Sequence, residues 1–486
     1  MSSCAGKLLE VTLSYRPPIL HINLRCDPCS LDPRKGNDMI ASQLHFLLFE
    51  GLVRLNADMS LTPALAKSYE ISPDGKIYTF HLHHAVWSDG TPITAHDVER
   101  SWKQILDPSF SCPDAYLLYA VRNAKLAKSG KVPLEEVAIR STDDHTLVVE
   151  LDSPMFHFLQ IVASSVLLPV PPNIDALVSN GPFHLKEWRP REKLVFEKNP
   201  LYHRANEVKL HGIVAHILDG DSVLHMHEKG HLDLIGTPLS YFSPELIESL
   251  EKQKRLTYFP VAATKFLAFN TVSTPFQNTN LRKAFAYAIS RASLPPVLMN
   301  RDRELLDDAT QARAYLQQGL AEMGLTQLGS PVFMFIPSEI NKVLAQALQQ
   351  MWWEALGVQV TLEQTEFKTL HERSQKGDFA IGLFAWLADY ADPMNILERF
   401  TDKTCHRNYP KWEDAKYNQL VQEARSLSLK EEYLAKVEEA EERLMQEMPL
   451  TCLFHETYAF SLAPYVKGFE ISPLGHIYFE KISIEE

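Results

Sequence analysis

The sequence lacks any apolar run approaching the roughly 18 residues that a membrane-spanning helix needs. The nearest candidate, 161–170, is short and runs into Pro169, Pro171 and Pro172, which predicts a buried strand entering a turn. An excess of positive charge is missing too. Forty-eight Lys and Arg against 61 Asp and Glu leave a formal charge of −13. That excludes nucleic acid and anionic membrane surfaces as main partners, because both require clustered cations. Internal repeats and low-complexity tracts are missing. What is present is a 486-residue chain with 45% apolar residues, enough for two or three lobes with a large core. Such a core needs no disulfide scaffold or metal to hold it. Of the six cysteines, Cys26 and Cys29 have redox spacing. They lie between a short strand and a Pro-rich turn rather than at a helix N-terminus, so no lowered thiol pKa and no catalytic role is expected.

Catalytic signatures are equally scarce. There is no G-x-S-x-G elbow, no phosphate loop and no G-x-G-x-x-G. The one tempting string is His227-Glu228-Lys229-Gly230-His231, which fits H-E-x-x-H. That motif binds zinc when two histidines one helical turn apart share a face. Gly230 argues for a helix end instead, which carries His231 past the helix and destroys the spacing. No metal site, no cofactor and no enzymatic activity is expected, and a zinc hydrolase built on His227, Glu228 and His231 is the enzyme alternative.

Punctuation divides the chain into short α and β segments. Ser72-Pro73-Asp74-Gly75 predicts a turn joining 64–71 to the alternating strand 77–82. Thr94 predicts a helix cap, with Asp97 at the third helical position. Asn280 predicts a second cap. The spacing of Val343, Leu344, Ala347, Leu348, Met351, Trp352 and Ala355 predicts an amphipathic helix over 341–356, closed by Gly357 and followed by a strand over 358–362. A helix over 431–448 ends at Pro449. This alternation indicates an α/β fold.

The most informative segment follows the apolar stretch 379–383. It places Trp386, Ala388, Asp389 and Tyr390 in a loop just beyond a predicted strand end, where α/β folds bind ligands. A carboxylate walled by rings suits a cationic amine, because excluding water strengthens the pairing.

At the N-terminus, Ser2-Ser3-Cys4-Ala5 resembles the end of a bacterial lipobox, and Cys4 is expected to carry a lipid anchor.

In order along the chain, Ser30-Leu31-Asp32-Pro33, Phe49-Glu50-Gly51-Leu52-Val53, Pro63-Ala64-Leu65-Ala66, Trp87-Ser88-Asp89-Gly90-Thr91-Pro92, Asn180-Gly181-Pro182-Phe183, Phe269-Asn270-Thr271, Leu281-Arg282-Lys283-Ala284-Phe285 and Trp386-Leu387-Ala388-Asp389-Tyr390 resemble the family 5 solute-binding proteins. These are the oligopeptide- and dipeptide-binding components of bacterial ABC importers. The resemblance covers nearly the whole chain. It implies a two-lobed periplasmic binding protein fold (type II, cluster C) with an extra N-terminal subdomain. Lobe I would comprise 1–45, 178–260 and 460–486, the extra subdomain 46–177, and lobe II 261–459. It implies a monomeric protein of the periplasm or cell envelope that captures short peptides and delivers them to permease and ATPase subunits. It also implies that Asp389 pairs with the peptide α-ammonium, with Trp386, Ala388, Tyr390, Tyr116 and the loop residues Asn37 and Met39 around the ligand.

Three departures bear on this. Asn37 stands where some relatives carry Glu. Asp114 stands at an often aromatic position, near Tyr116 and Tyr119. No arginine is identified as an anchor for a peptide carboxylate. A cell-wall peptide, glutathione, a sugar or a metal chelate is the alternative cargo within the same fold.

Overall fold

The computed structural model describes residues 18–36, 38–174, 178–218, 222–294, 299–300, 307–405, 407–427 and 429–485. Cys4 and Asn37 lie outside them. The fold is mixed α/β, organised around an eleven-stranded sheet and a separate four-stranded one.

The large sheet opens with Ile19–Leu24, which lies parallel to Gly212–Ile217 and touches Leu234 on its other edge. Lys193–Lys198 and Phe183–Arg189 extend that side as antiparallel strands. At the far side Val332–Phe335 runs parallel to Thr361–Gln364 and to Ile381–Leu387. Two 13-residue strands, Thr257–Phe269 and Leu450–Leu462, join the sides and pair with each other antiparallel. Their ladder is interrupted between Pro260 and Thr264 and shifts register again between Lys265 and Phe266. Proline has no N–H to give the ladder. Within the gap the Ala262 N–H donates to the Pro473 carbonyl at 2.7 Å.

The four-stranded antiparallel sheet is Ala66–Ile71, Ile77–Leu82, Thr146–Glu150 and Ile139–Asp143. The expected turn is present, with Gly75 at φ +70°, a conformation open to glycine. Helix Ala95–Ile105 covers it. Asp97 accepts from the Thr94 N–H at 3.0 Å, the expected cap. Ala95, Val98, Trp102 and Ile105 form its buried stripe. An apolar core runs from this sheet through Trp87 and Phe158 to Leu20, Ile22 and Phe196 of the large sheet.

In the second half the period-2 alternation of Ile381–Leu387 feeds two cores. Ile381 and Leu383 pack with Phe285, Trp352 and Leu348. Phe384 and Trp386 pack on the opposite face with Tyr409, Tyr417 and Leu450. Gly382 sits beneath Phe384, whose ring would lie 2.5 Å from an added Cβ.

Several expectations need correction. The stretch 161–170 is not a strand. It comprises the end of the short helix Phe158–Val162, the 3-10 turn Ser165–Leu167 and the residues after it. An apolar run of this length does not by itself distinguish strand from helix. The helix cap is Asn278, whose side chain accepts from Leu281 N–H, while Asn280 donates to Glu322. The long helix spans Glu339–Leu356 under a Ser338 cap. Its buried stripe is centred on Asn341, Leu344, Ala345, Leu348 and Trp352, which leaves Val343 exposed at the edge. Gly357 does adopt the left-handed cap, but the following strand begins only at Thr361.

Candidate functional site

The Asp389 carboxylate is placed by two structural links. The strand Ile381–Leu387 ends beside the ladder break, and there the Ala388 N–H donates to the Ala262 carbonyl at 2.9 Å. Asn395, buried in the short helix Met394–Leu397, then brackets the loop. Its Oδ1 accepts from the Asp389 N–H and from Trp386 Nε1, both at 3.2 Å. The loop is therefore tied to rigid elements on both sides.

Around the carboxylate, hydrogen-bond donors converge from distant parts of the chain. Tyr116, on the 3-10 helix Ala115–Leu118 beside the four-stranded sheet, donates its hydroxyl to Asp389 Oδ2 at 2.6 Å. Arg399 Nη2 reaches the same oxygen at 2.8 Å, and Arg407 Nη1 at 3.4 Å. Asn395 Nδ2 adds a long contact of 3.4 Å. Among the described residues every hydrogen bond to this carboxylate ends on Oδ2. The Asp389 side chain is 28% exposed.

The two guanidinium groups are held differently. Arg399 is buried, donates Nε to the Asn395 carbonyl at 2.6 Å and lies against the Trp386 ring. Arg407 is centred 5.2 Å from the Trp386 and Tyr116 rings, and its Nη2 donates to Asp114 Oδ1 at 2.7 Å. Burial pushes the Tyr116 phenol far up, and the Asp389 charge adds to this, so the group stays a donor. Burial also raises the Asp114 carboxyl; Arg407 opposes that shift without cancelling it. For Arg407 burial disfavours the charge, but Tyr116, Asp389 and Asp114 together outweigh it and raise its pKa.

The remaining expected residues are scattered. Trp386 forms the floor under both guanidiniums. Tyr390 is 1% exposed and serves packing: its ring stacks on His157 at 4.6 Å and its hydroxyl donates to Glu398 at 3.1 Å. Met39 begins the helix Met39–Leu48, and its Sδ accepts from Tyr458 at 2.6 Å. Arg399, Arg407 and Asn395 were not identified from the sequence. The available signal was the i, i+4 spacing of Asn395 and Arg399, which puts both on one helical face.

His227 and His231 do not share a helical face. The helix Ser222–Glu228 ends before Gly230, which adopts φ +71°. His227 Nδ1 meets the Leu232 carbonyl at 2.8 Å and Nε2 the Ser461 hydroxyl at 2.9 Å. Cys26 and Cys29 lie exposed in the loop after Ile19–Leu24. Among the described residues no helix is long and apolar enough to cross a membrane.

Comparison with known proteins agrees with this architecture. The model of the bacterial extracellular solute-binding proteins, family 5 (middle), matches residues 60–307 and 295–408. The oligopeptide-binding protein OppA of Bacillus subtilis is 32% identical over 95% of this chain and 91% of its own length. The structure of the Escherichia coli murein tripeptide binding protein MppA superposes with a TM-score of 0.83 at 25% identity, covering 97% of this chain and 99% of that one. Haemophilus influenzae OppA, solved in complex with the peptide RPPGFSPFR, superposes at 0.80 with 26% identity, covering 96% and 99%. The chain belongs to the family 5 bacterial extracellular solute-binding proteins.

Proposed function

We propose that this protein captures short peptides between two lobes and delivers them to the permease and ATPase subunits of an ABC importer, without catalysing a reaction. The observation that carries this reading is the Asp389 carboxylate. It lies at the seam between the segment holding Tyr116 and the segment holding Arg399, with its hydrogen bonds gathered on Oδ2. A peptide α-ammonium docks on Oδ1. The peptide backbone runs on as an added strand, so binding depends little on side-chain identity. Ala388 and Trp386 supply the wall on one side and Tyr116 on the other, while Met39 lies farther along the cleft. The peptide complexes of relatives support this cargo over a sugar or a chelate.

The lobes divide near the ladder break at Pro260–Thr264. Lobe I takes 1–45, 178–260 and 460–486, with 46–177 as its added subdomain, and lobe II takes 261–459. The protein works as a monomer in the periplasm or cell envelope, tethered through Cys4. Closure is selected by ligand, because only the closed arrangement contacts it from both sides.

Native mass spectrometry of the purified protein tests the cargo. Bound species whose fragments are short peptides are the expected result. A sugar or a metal chelate in their place overturns the reading.

A further inference from the structure

The Asp389 site is not a lone carboxylate. Asp389 and Asp114 contribute two negative charges, Arg399 and Arg407 two positive ones, and the cluster is balanced before any ligand arrives. The two cations play unequal parts. Arg399 is fixed by burial, by the Asn395 carbonyl and by a 2.8 Å contact to Asp389. Arg407 touches Asp389 at only 3.4 Å and Tyr116 at 3.3 Å, yet holds Asp114 at 2.7 Å. It is anchored on Asp114 and leans on Asp389.

We infer that Arg407 determines specificity: it is a built-in counter-ion shared between Asp114 and Asp389, and it sets how strongly the cleft distinguishes a free from a blocked peptide amino terminus. This inference rests on the proposal that Asp389 receives the ligand ammonium. An ammonium arriving at Oδ1 shares the carboxylate with the weak Arg407 contact on Oδ2 and pushes Arg407 back towards Asp114. The nearby guanidinium repels the ammonium, and Asp114 offsets that repulsion. Removing either partner therefore shifts the preference in opposite directions. Arg399, which orients Asp389, is a positioning residue and not part of this exchange.

The test compares tri-, tetra- and pentaalanine, each with a free and an N-acetylated terminus, by calorimetric titration. The quantity read is the ratio of free to acetylated affinity, which cancels general damage to the fold. In Arg407→Gln the ratio rises about tenfold, as expected when one like charge a few ångströms away is removed from a partly buried site. In Asp114→Asn the ratio falls, because Arg407 loses its anchor and settles on Asp389. Arg407→Lys keeps the charge and stays near the wild-type ratio. An unchanged or falling ratio in Arg407→Gln, with a wild type that discriminates, overturns this inference alone. A ratio near one in every variant, or no binding of any of these peptides, overturns it together with the ammonium reading.

Discussion

The Tyr116 hydroxyl and the Asp389 Oδ2 oxygen stand 2.6 Å apart although 273 residues separate them in the chain. This bond joins the four-stranded-sheet segment to the end of the strand Ile381–Leu387, and Arg407–Asp114 repeats the connection beside it. The place proposed for the ligand terminus thus carries its own cross-links. A hydrogen bond to a charged group contributes about 1.5–3 kcal/mol. Tyr116→Phe should favour the open form. Small-angle scattering of the ligand-free protein checks this through a larger radius of gyration; an unchanged radius contradicts a role in closure.

Removing the Asp389 charge has two consequences. Asp389→Asn should weaken binding of free-amine peptides by about 2–5 kcal/mol, the cost of truncating one partner of a close charge pair. It also leaves buried Arg399 without its carboxylate, so the midpoint of thermal unfolding should fall as well. Titration calorimetry and a melting curve read the two effects separately. Unchanged affinity for free-amine peptides speaks against the assignment.

Glu50 illustrates a charge whose task is structural. Buried between Tyr202, His203 and Arg204, it accepts from the Tyr202 hydroxyl at 2.6 Å. Burial raises its carboxyl, but His203 and Arg204 outweigh that and hold its pKa below the usual range. Glu50→Gln should cost about 3–5 kcal/mol, because it removes the buried charge that pairs with Arg204. Glu248, exposed and paired with Lys252, should cost under about 1 kcal/mol when changed to Gln. Urea unfolding of both variants checks the contrast; equal losses contradict it.

His45 predicts a pH dependence of stability. It is fully buried, and its Nε2 donates to the Ser30 carbonyl at 3.0 Å. Burial pushes its pKa down to about 4, against smaller opposing pulls from Ser30, Asp32 and Asp38. The folded state therefore keeps the ring neutral where the unfolded chain, titrating near about 6.5, takes up a proton. The contribution is fully present above that value and is lost as pH falls from about 6.5 to about 4, some ~3 kcal/mol in all. Unfolding free energies at about pH 8 and about pH 5 should differ less in His45→Gln than in the wild type by about 2 kcal/mol. Parallel pH profiles contradict this.

Local chemistry was legible where it acts over a few residues. The Asp97 cap at Thr94, the turn at Gly75, the left-handed cap at Gly357 and the helix end at Gly230 each follow from short-range geometry. The loop holding Asp389 was legible from its position after an apolar strand, but that strand runs to Leu387 and takes in Trp386, which was expected in the loop. Its company was not. Arg407 meets Asp114 across 293 residues of sequence, and no local pattern encodes such a meeting. Tyr390 reads as a site residue beside Asp389, yet its ring belongs to the core against His157, because neighbouring loop residues point in different directions. The stretch 161–170 failed for a related reason: buried helix and buried strand share the same apolar composition.

The central claim is that a peptide enters amino terminus first, with its ammonium on Asp389. Calorimetric titration of one short peptide against its N-acetylated form, in the wild type and in Asp389→Asn, tests it most directly. A clear preference for the free amine that disappears in Asp389→Asn is the result this account predicts. Equal affinity for both forms in the wild type, or a preference that survives the substitution, contradicts it.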